Sequence, residues 1–196
     1  MEPAYPLERN WSIWEIWDQS DEAYGSNMQS IGTFSSLHTF WQHWNYLPHA
    51  TPSELFTNPK TNEHPMIYPD KISIQAIGVF MEGVRPEWED ELNRVGCSIT
   101  GRRPFSPEKM KETWDMLVFS IVGENLTYSE EVVGCRIVDK QKNIKFEVWL
   151  KTSCDTQENK EKIKKIQEEL WGNIFTSFKI NELTIMDHHT KKKAEI

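Results

Sequence analysis

A hairpin-like stretch between residues 131 and 152 constrains the fold of this chain more than any other feature. EVVGCRIV and IKFEVWLKT are rich in β-branched and aromatic residues, which favours strands, and the turn-like DKQKN joins them. Because so short a connection pairs its two strands antiparallel, this stretch predicts an antiparallel β-hairpin.

The second strand of this hairpin has two different faces, because side chains alternate across a sheet. One face is apolar and suits a core: Ile144, Phe146, Val148 and Leu150. The other face carries Lys145, Glu147, Trp149 and Lys151, and the adjoining turn adds Lys140 and Lys142. Two interpretations stay open. Either this is a solvated outer face whose tryptophan is covered by a loop, or an anion such as a phosphate chain lies there beside an aromatic wall.

Helices and strands alternate along the rest of the chain. The clearest helix start has Ser106 as its cap, Pro107 at the first helical position and then Glu108. Mixed helices and strands together with a hairpin predict an α+β fold with a largely antiparallel sheet. Strands are expected at 10–17, 72–80, 97–100 and 178–186, and helices at 37–47, 106–124 and 157–171.

The first of these helices is rich in aromatic residues. Ser35 or Ser36 can cap it, and its apolar side chains recur at helical spacing, which predicts that they share one side. These side chains are Leu37, Phe40, Trp41 and Trp44. Five prolines then predict a long loop or insertion over residues 48–70, and residues 189–196 are expected to form a short charged tail.

Length, charge and cysteine content limit the class of protein. One domain spanning residues 1–196 is expected, because a chain with 38% apolar residues can bury a full core. The net charge of −8 argues against a broad basic surface for nucleic acid, but it allows a small site for a few phosphates. Three separated cysteines match neither a zinc pattern nor a disulfide set, so a reducing compartment is expected. Neither a signal peptide nor a membrane span is indicated.

The stretch VRPEWEDELNR sets Trp88 among four acids, Glu87, Glu89, Asp90 and Glu91. Either the ring is a structural plug under a loop, or it is half of a site for a flat cation, which an aromatic face attracts. A carboxylate beside it can accept two parallel N–H bonds, as from the edge of a guanine. The other acids of the stretch are expected to remain solvated or to add a negative field.

An enzymatic interpretation of the same stretch uses Glu87, Glu89 and Glu91 as a paired acid and base, for instance in a hydrolase. No nucleophile, metal-ligand set or Gly-rich phosphate loop accompanies these carboxylates in the sequence. Neither an enzyme nor a cofactor is therefore expected.

Five motifs follow one another along the chain: YPLERNWSIWEIW, IGTFSSLHTFW, FMEGVRPEWEDELNR, TWDMLVFSIVGE and VVGCRIVDKQKNIKFEVW. In order and spacing they resemble the translation initiation factor 4E family, which binds the 7-methylguanosine cap of messenger RNA. The resemblance runs to about Met186 and covers most of the chain outside residues 48–70. It implies a curved, mostly antiparallel eight-stranded sheet, with about three helices on its convex face and the cap on its concave face.

The resemblance also implies a role for individual residues. Tyr24 and Trp88 match the two rings that stack on the cap base, Glu89 matches the acceptor of the guanine edge, and Trp149 matches the contact to the N7-methyl group. The positions that grip the phosphates correspond to Lys140 and Lys145, with Lys142 assisting.

Two departures concern this site. Tyr24 stands where most initiation factors have tryptophan, and AYGSNMQSIGTF is similar to the 4E homologous protein branch, whose members bind caps more weakly and often repress translation. Trp11 is nevertheless retained where that branch often has a smaller aromatic. Lys140 replaces an arginine and offers a point charge instead of a fork.

A second surface implied by the resemblance docks a short helix of an initiation scaffold protein of the 4G type or of a 4E-binding repressor. Trp41 matches its central tryptophan, although a plain core role is the alternative without the family. The other positions implied are Tyr5, Pro6, Leu7, Leu37, Asp115 and Met116, the last two replacing an apolar and an acidic residue.

The leading hypothesis is therefore a monomer, in the cytoplasm or also in the nucleus, that binds capped messenger RNA and recruits the initiation machinery. A cap-binding repressor is the main alternative. A third hypothesis, motivated by Tyr24, is a family member that has lost cap binding and serves only as an interaction module.

Overall fold

The computed structural model describes residues 5–17, 27–56 and 73–196, which form one antiparallel sheet and three α-helices. The sheet order is β2-β1-β3-β5-β6-β4-β7-β8. This confirms the predicted α+β fold with its eight-stranded sheet. The strands are β1 (Pro6–Trp17), β2 (Met28–Ser36), β3 (Ile74–Met81), β4 (Cys97–Arg103), β5 (Val132–Lys140), β6 (Asn143–Leu150), β7 (Thr184–Asp187) and β8 (Lys192–Ala194). The helices are α1 (Leu37–Tyr46), α2 (Pro107–Val122) and α3 (Gln157–Asn173).

The helices begin where the sequence indicates. The side chain of Ser36 accepts a hydrogen bond from the backbone N–H of Thr39, whose own side chain accepts from the backbone of Ser36, so α1 starts with a capping box. Ser106 caps α2 by accepting a hydrogen bond from the backbone N–H of Lys109, with Pro107 at the first helical position. Each cap satisfies backbone donors that have no partner inside the helix.

The three helices pack against one face of the sheet, where the main core lies. From α2 this core takes Trp114 and Leu117, and from α3 Ile163 and Ile166, all of them fully buried. The opposite face of the sheet carries a separate small apolar cluster around Phe80, Val84, Val133 and Trp149. The central hairpin of β5 and β6 thus has its core residues under the helices and its polar residues on the open face.

Five segments differ from the sequence prediction. β1 begins at Pro6, four residues before the predicted strand 10–17. β2 was not predicted as a strand, because it is an edge strand with only two buried side chains and no apolar alternation. β8 lies inside the predicted charged tail and likewise pairs only through its backbone with β7. Of the predicted strand 178–186, residues 180–182 form a 3-10 turn, in which Glu182 accepts from the backbone of Lys179. β4 extends three residues beyond the predicted 97–100.

The predicted loop at 48–70 is described only up to residue 56. This part contains two short 3-10 turns, Pro48–Ala50 and Pro52–Glu54, and it buries Leu55 and Phe56 in the main core. The beginning of the segment is therefore packed structure, while residues 57–72 lie outside the described part of the chain.

The burial of side chains in α1 also differs from the sequence prediction. Phe40 and Trp44 are buried, but Leu37 and Trp41, predicted on the same side, are 41% and 43% exposed. Fewer side chains of α1 are buried than its apolar pattern predicts. The Trp41 ring contacts Phe119 of α2, with ring centroids 5.3 Å apart, but remains partly exposed to solvent. The plain core role of Trp41 is therefore wrong.

Within the described residues, no helix combines the length and apolar character that crossing a membrane requires.

Candidate functional site

Internal hydrogen bonds hold the conformation of the loop of residues 82–96, which follows β3. The buried Asn93 donates through its side-chain amide to the carbonyl oxygens of Arg85 at 2.7 Å and Glu87 at 2.9 Å. His188, from the turn between β7 and β8, donates from Nδ1 to the carbonyl oxygen of Asn93 at 2.8 Å. Satisfied backbone carbonyls let this loop hold one conformation without regular secondary structure.

One acid of this loop, Asp90, also supports the backbone of the loop. Asp90 is partly exposed, and it also accepts hydrogen bonds from the backbone N–H groups of Arg85 at 2.9 Å and Leu92 at 3.0 Å. Glu87 forms an ion pair with Arg85 at 2.8 Å, and Glu91 is exposed. The neighbouring Trp88 and Glu89 instead contact residues outside the loop.

Trp88 and Glu89 share a cation that belongs to the protein itself. The Nζ atom of Lys191 lies 5.4 Å from the centroid of the Trp88 ring and 3.4 Å from Oε1 of Glu89. The Trp88 ring also stacks on His188, with centroids 5.8 Å apart. Both Glu89 and Lys191 are about half exposed, so solvent screens their pairing. An aromatic ring and a carboxylate thus already act together on a positive charge here.

Trp149 lies on the open face of β6, beneath this loop. Its side chain is only 1% exposed, and its ring centroid lies 5.5 Å from that of Phe80, in a T-shaped pair, and 4.6 Å from that of His188. The Cζ atom of Arg136 lies 4.7 Å from the Trp149 ring centroid, a cation–π contact. The ring is covered, as one interpretation expected, and it also borders a cavity.

That cavity brings together three of the predicted base-binding residues, Trp88, Glu89 and Trp149. Tyr24, the fourth, lies outside the described residues, so its position relative to the cavity is not stated. The lining is Ile16, Asn27, Met28, Gln75, Pro86, Glu87, Trp88, Glu89, Arg136 and Trp149.

A buried carboxylate organises the polar side of the cavity. Glu147 pairs with Arg136 through one oxygen and with Lys145 through the other, and it accepts from the Trp149 indole N–H at 3.0 Å. Burial by itself would raise the pKa of Glu147, but the positive charges of Arg136 and Lys145 outweigh it and lower the pKa to about 2. Glu147 is therefore ionised at neutral pH and holds both cations in place.

A cluster of positive side chains extends from this pair toward the hairpin turn. Arg102 on β4 lies opposite Lys145 on β6, on the same face. The pKa of Lys140 is lowered, first by partial burial and then by the charges of Lys145 and Arg136. Lys142 is exposed in the turn itself. We call Arg102, Lys140 and Lys145 the basic corner.

The predicted partner surface lies on the helical side of the sheet. Tyr5, Leu37, Trp41 and Met116 are exposed there, and the backbone N–H of Leu37 donates to the carbonyl oxygen of Tyr5 at 2.9 Å. Exposed aromatic and aliphatic side chains grouped in this way are typical of docking sites. Pro6 begins β1, and Leu7 is half-buried against the core.

Asp115 differs from its neighbours on this surface. Its carboxylate accepts from the Trp44 indole N–H at 3.2 Å and pairs with Lys111 at 2.5 Å. It lies with Trp41 and Phe119 along a groove between α1 and α2. Because both of its oxygens are engaged, Asp115 shapes this groove more than it offers a free charge.

Sequence reasoning missed Arg136, Arg102 and His188. For Arg136 a signal existed: counting back across the hairpin turn sets it directly opposite Glu147, which the sequence had already assigned to the polar face. Arg102 needed the pairing of β4 with β6, and His188 needed the position of a distant turn. In the described residues, no group of three His, Cys, Asp or Glu side chains is placed to hold a metal ion.

Comparison with protein families gives a match to the model described as Eukaryotic initiation factor 4E over residues 6–195. Among curated proteins, the chain is 29% identical to eukaryotic translation initiation factor 4E of Candida albicans, over 83% of this chain and 73% of that protein. It is 23% identical to eukaryotic translation initiation factor 4E-1 of Capsicum annuum, over 77% of this chain but only 59% of that protein.

Solved structures share the fold. The C. elegans eIF4E-3 in complex with the 4E-binding protein Mextli has a TM-score of 0.74 and 18% identity, over 98% of both chains. Ascaris suum eIF4E-3 with m7G cap has a TM-score of 0.72 and 18% identity, over 97% of this chain and 96% of that one. The likeness extends across the sheet and its helices.

Acid should weaken the fold through Glu147. The pKa of Glu147, about 2, lies below its ordinary value of 4.5. The ionised carboxylate therefore stabilises the fold fully above pH 4.5, and this stabilisation is lost as the pH falls toward 2. The difference in unfolding free energy between the unaltered chain and Glu147→Gln should therefore shrink by on the order of 3 kcal/mol between pH 6 and pH 2. Urea unfolding at several pH values measures this, and a difference that stays constant would contradict the ion-pair network.

Proposed function

Because this chain belongs to the eukaryotic initiation factor 4E family, we propose that it binds the 7-methylguanosine cap of messenger RNA on the open face of its sheet. The observation that carries the proposal is that Trp88, Glu89 and Trp149 border one cavity beside the basic corner. An aromatic and acidic pocket suits a cationic base, and neighbouring cations suit the phosphates attached to it.

In this proposal the methylated base stacks on Trp88, and its edge donates two hydrogen bonds to Glu89. N7-methylation gives guanine a positive charge, which strengthens its attraction to an aromatic face and to a carboxylate. Trp149 contributes the floor beside the methyl group, and Tyr24 contributes the second stacking ring. The chemistry matches what Lys191 does in the free protein, where an ammonium meets the same ring and carboxylate.

Lys140 and Lys145 receive the phosphates, with Lys142 assisting from the turn. Support comes from the lowered pKa of Lys140, which partial burial lowers first and the positive charges of Lys145 and Arg136 lower further. An anion relieves that repulsion. Lys145 is held by Glu147 at the start of the basic corner, so its ammonium is already in position.

The helical side is proposed to dock a short helix of a partner protein, with Trp41 at the centre. A protein of this fold is known in complex with the 4E-binding protein Mextli, and exposed Trp41, Leu37 and Met116 offer this chain an apolar surface on which a short helix could dock. A scaffold of the 4G type would make the protein an initiation factor, whereas a repressor partner would make it an inhibitor of translation.

The proposed activity is binding without turnover of the cap. Incubation with a cap analogue followed by product analysis checks this, and any hydrolysis would revive the carboxylates of Glu87, Glu89 and Glu91 as acid and base. A cytoplasmic location is also proposed, which suits three buried, free cysteines.

Fluorescence titration tests cap binding directly, because Trp88 is part of the site. Addition of 7-methyl-GTP should quench tryptophan emission at concentrations where unmethylated GTP does not. Equal and weak responses to both nucleotides would reject the proposal and favour a module that acts only through protein partners.

Glu89→Gln should weaken 7-methyl-GTP binding by roughly 10- to 100-fold, because a hydrogen bond to a charged group contributes about 1.5–3 kcal/mol. Glu91→Gln in the same loop is the matched control, since its side chain is exposed and outside the cavity. Titration of both variants decides the question: equal affinities would show that Glu89 does not read the base.

Lys191→Ala should strengthen binding of the nucleoside 7-methylguanosine, because the base must displace the Lys191 ammonium from Trp88 and Glu89. The expected gain is a few-fold, about the free energy of one exposed ion pair with a cation–π contact. Calorimetry with the nucleoside avoids any phosphate contribution, and Lys192→Ala, exposed on β8, is the control. Weaker binding by Lys191→Ala would mean that this lysine assists the ligand.

Trp41→Ala should abolish recovery of partner proteins from a translating extract while leaving retention on a 7-methyl-GTP resin intact. Ile180→Ala, equally exposed but outside α1 and α2, is the control. Recovery of the large scaffold protein with its helicase would support an initiation role, and recovery of a repressor alone would support the alternative. Unchanged recovery by Trp41→Ala would reject this surface.

A further inference from the structure

Arg136 is a permanent cation inside the candidate base cavity. Its side chain borders the cavity together with Trp88 and Glu89, and its guanidinium lies over the Trp149 ring with Cζ at 4.7 Å from the centroid. Only 19% of the side chain is exposed. A cation here needs a structural or a functional reason, because burial of charge is costly unless it is compensated.

Glu147 supplies only part of that compensation. It accepts from Nε of Arg136, but it also binds Lys145, so two positive charges share one negative charge. The other hydrogen bond of Arg136 to a described residue is a long one, 3.5 Å to the carbonyl oxygen of Pro86. A guanidinium has five N–H donors, so donors remain for a ligand that enters the cavity.

The strand register orders the groups on this face. Same-face neighbours on a strand are about 7 Å apart, because each residue rises about 3.3 Å. From the cavity floor toward the hairpin turn, Trp149 is followed by the Glu147–Arg136 pair, then by Lys145 opposite Val138, and then by Lys140. Arg136 is therefore the first cation that a chain of phosphates meets after the base.

We infer that Arg136 is a phosphate ligand that holds the phosphate group nearest the guanosine and so links the base cavity to the basic corner. This inference rests on the proposed cap binding. The guanidinium fork matches two phosphate oxygens, which a lysine cannot match. In this arrangement Lys145, Lys140 and Arg102 serve the phosphates farther from the base.

The alternative is that Arg136 only neutralises Glu147 and supports the Trp149 ring. The two roles differ in what happens when each partner of the pair is changed. Arg136→Gln and Glu147→Gln break the same ion pair, but the first removes a positive charge and the second removes a negative one. If Arg136 binds phosphate, only the variant that loses the positive charge should lose phosphate affinity. If the ion pair is purely structural, both variants should change the affinity alike.

The experiment measures affinity for a series of four ligands: 7-methylguanosine and its 5′-mono-, di- and triphosphates. The gain from nucleoside to monophosphate isolates the first phosphate. In Arg136→Gln this gain should fall roughly tenfold, since a hydrogen bond to a charged group contributes at least about 1.5 kcal/mol. In Glu147→Gln the gain should be kept or increased, because the guanidinium remains.

Folding is controlled in two ways. Thermal unfolding identifies variants that are not folded. The double variant Arg136→Gln/Glu147→Gln avoids leaving the buried Glu147 carboxylate without its Arg136 partner. Comparison of this double variant with Glu147→Gln alone again measures Arg136, so the question is answered even when Arg136→Gln does not fold. The same roughly tenfold fall is expected between them.

Three outcomes would overturn the inference. The gain from the first phosphate could stay unchanged on loss of Arg136, it could fall equally in Arg136→Gln and Glu147→Gln, or the whole loss could lie in the nucleoside itself. Each would leave cap binding intact and make Arg136 a structural residue. If the unaltered chain binds none of the four ligands, the proposed function and this inference fail together.

Discussion

The open face of the sheet depends on one buried carboxylate. Glu147 is 2% exposed, and an ion at that depth is stable only when its partners are close and its remaining lone pairs are satisfied. Arg136, Lys145 and the Trp149 indole provide those partners. Because all of them meet the same two oxygens, the floor of the cavity and the first part of the basic corner are positioned together.

A second constraint joins the loop to the sheet. His188 donates to the backbone of Asn93 and contacts the rings of both Trp88 and Trp149, and burial lowers its pKa, which keeps it neutral. Asn93 in turn holds the loop that carries Trp88. The two tryptophans come from separate segments of the chain, and one histidine from a third segment fixes their relation. Preorganisation of this kind reduces the entropy that a ligand would otherwise lose on binding.

Local patterns predicted the parts of the fold that depend on neighbouring residues. The two faces of β6 and the cap of α2 follow from alternation and capping chemistry, and both are present. The edge strands β2 and β8 could not be predicted in this way, because their pairing is made by backbone groups and leaves no apolar pattern.

The same distinction applies to the site. Trp88, Glu89 and Trp149 were predicted through the resemblance to a family, and the structure brings them to one cavity. The contact of Lys191 with Glu89 joins residues 102 positions apart, and no local pattern contains that information. Arg136 lay within reach of the sequence, but only once the hairpin register was fixed, since a shift of one residue would send it to the core face.

The most direct test of cap recognition is a crystal structure of the chain with 7-methyl-GTP. The account predicts the methylated base against Trp88 with its edge on Glu89, and the phosphates running along β5 and β6 from the cavity toward the hairpin turn. A nucleotide bound on another surface, or a base that contacts neither Trp88 nor Glu89, would contradict it.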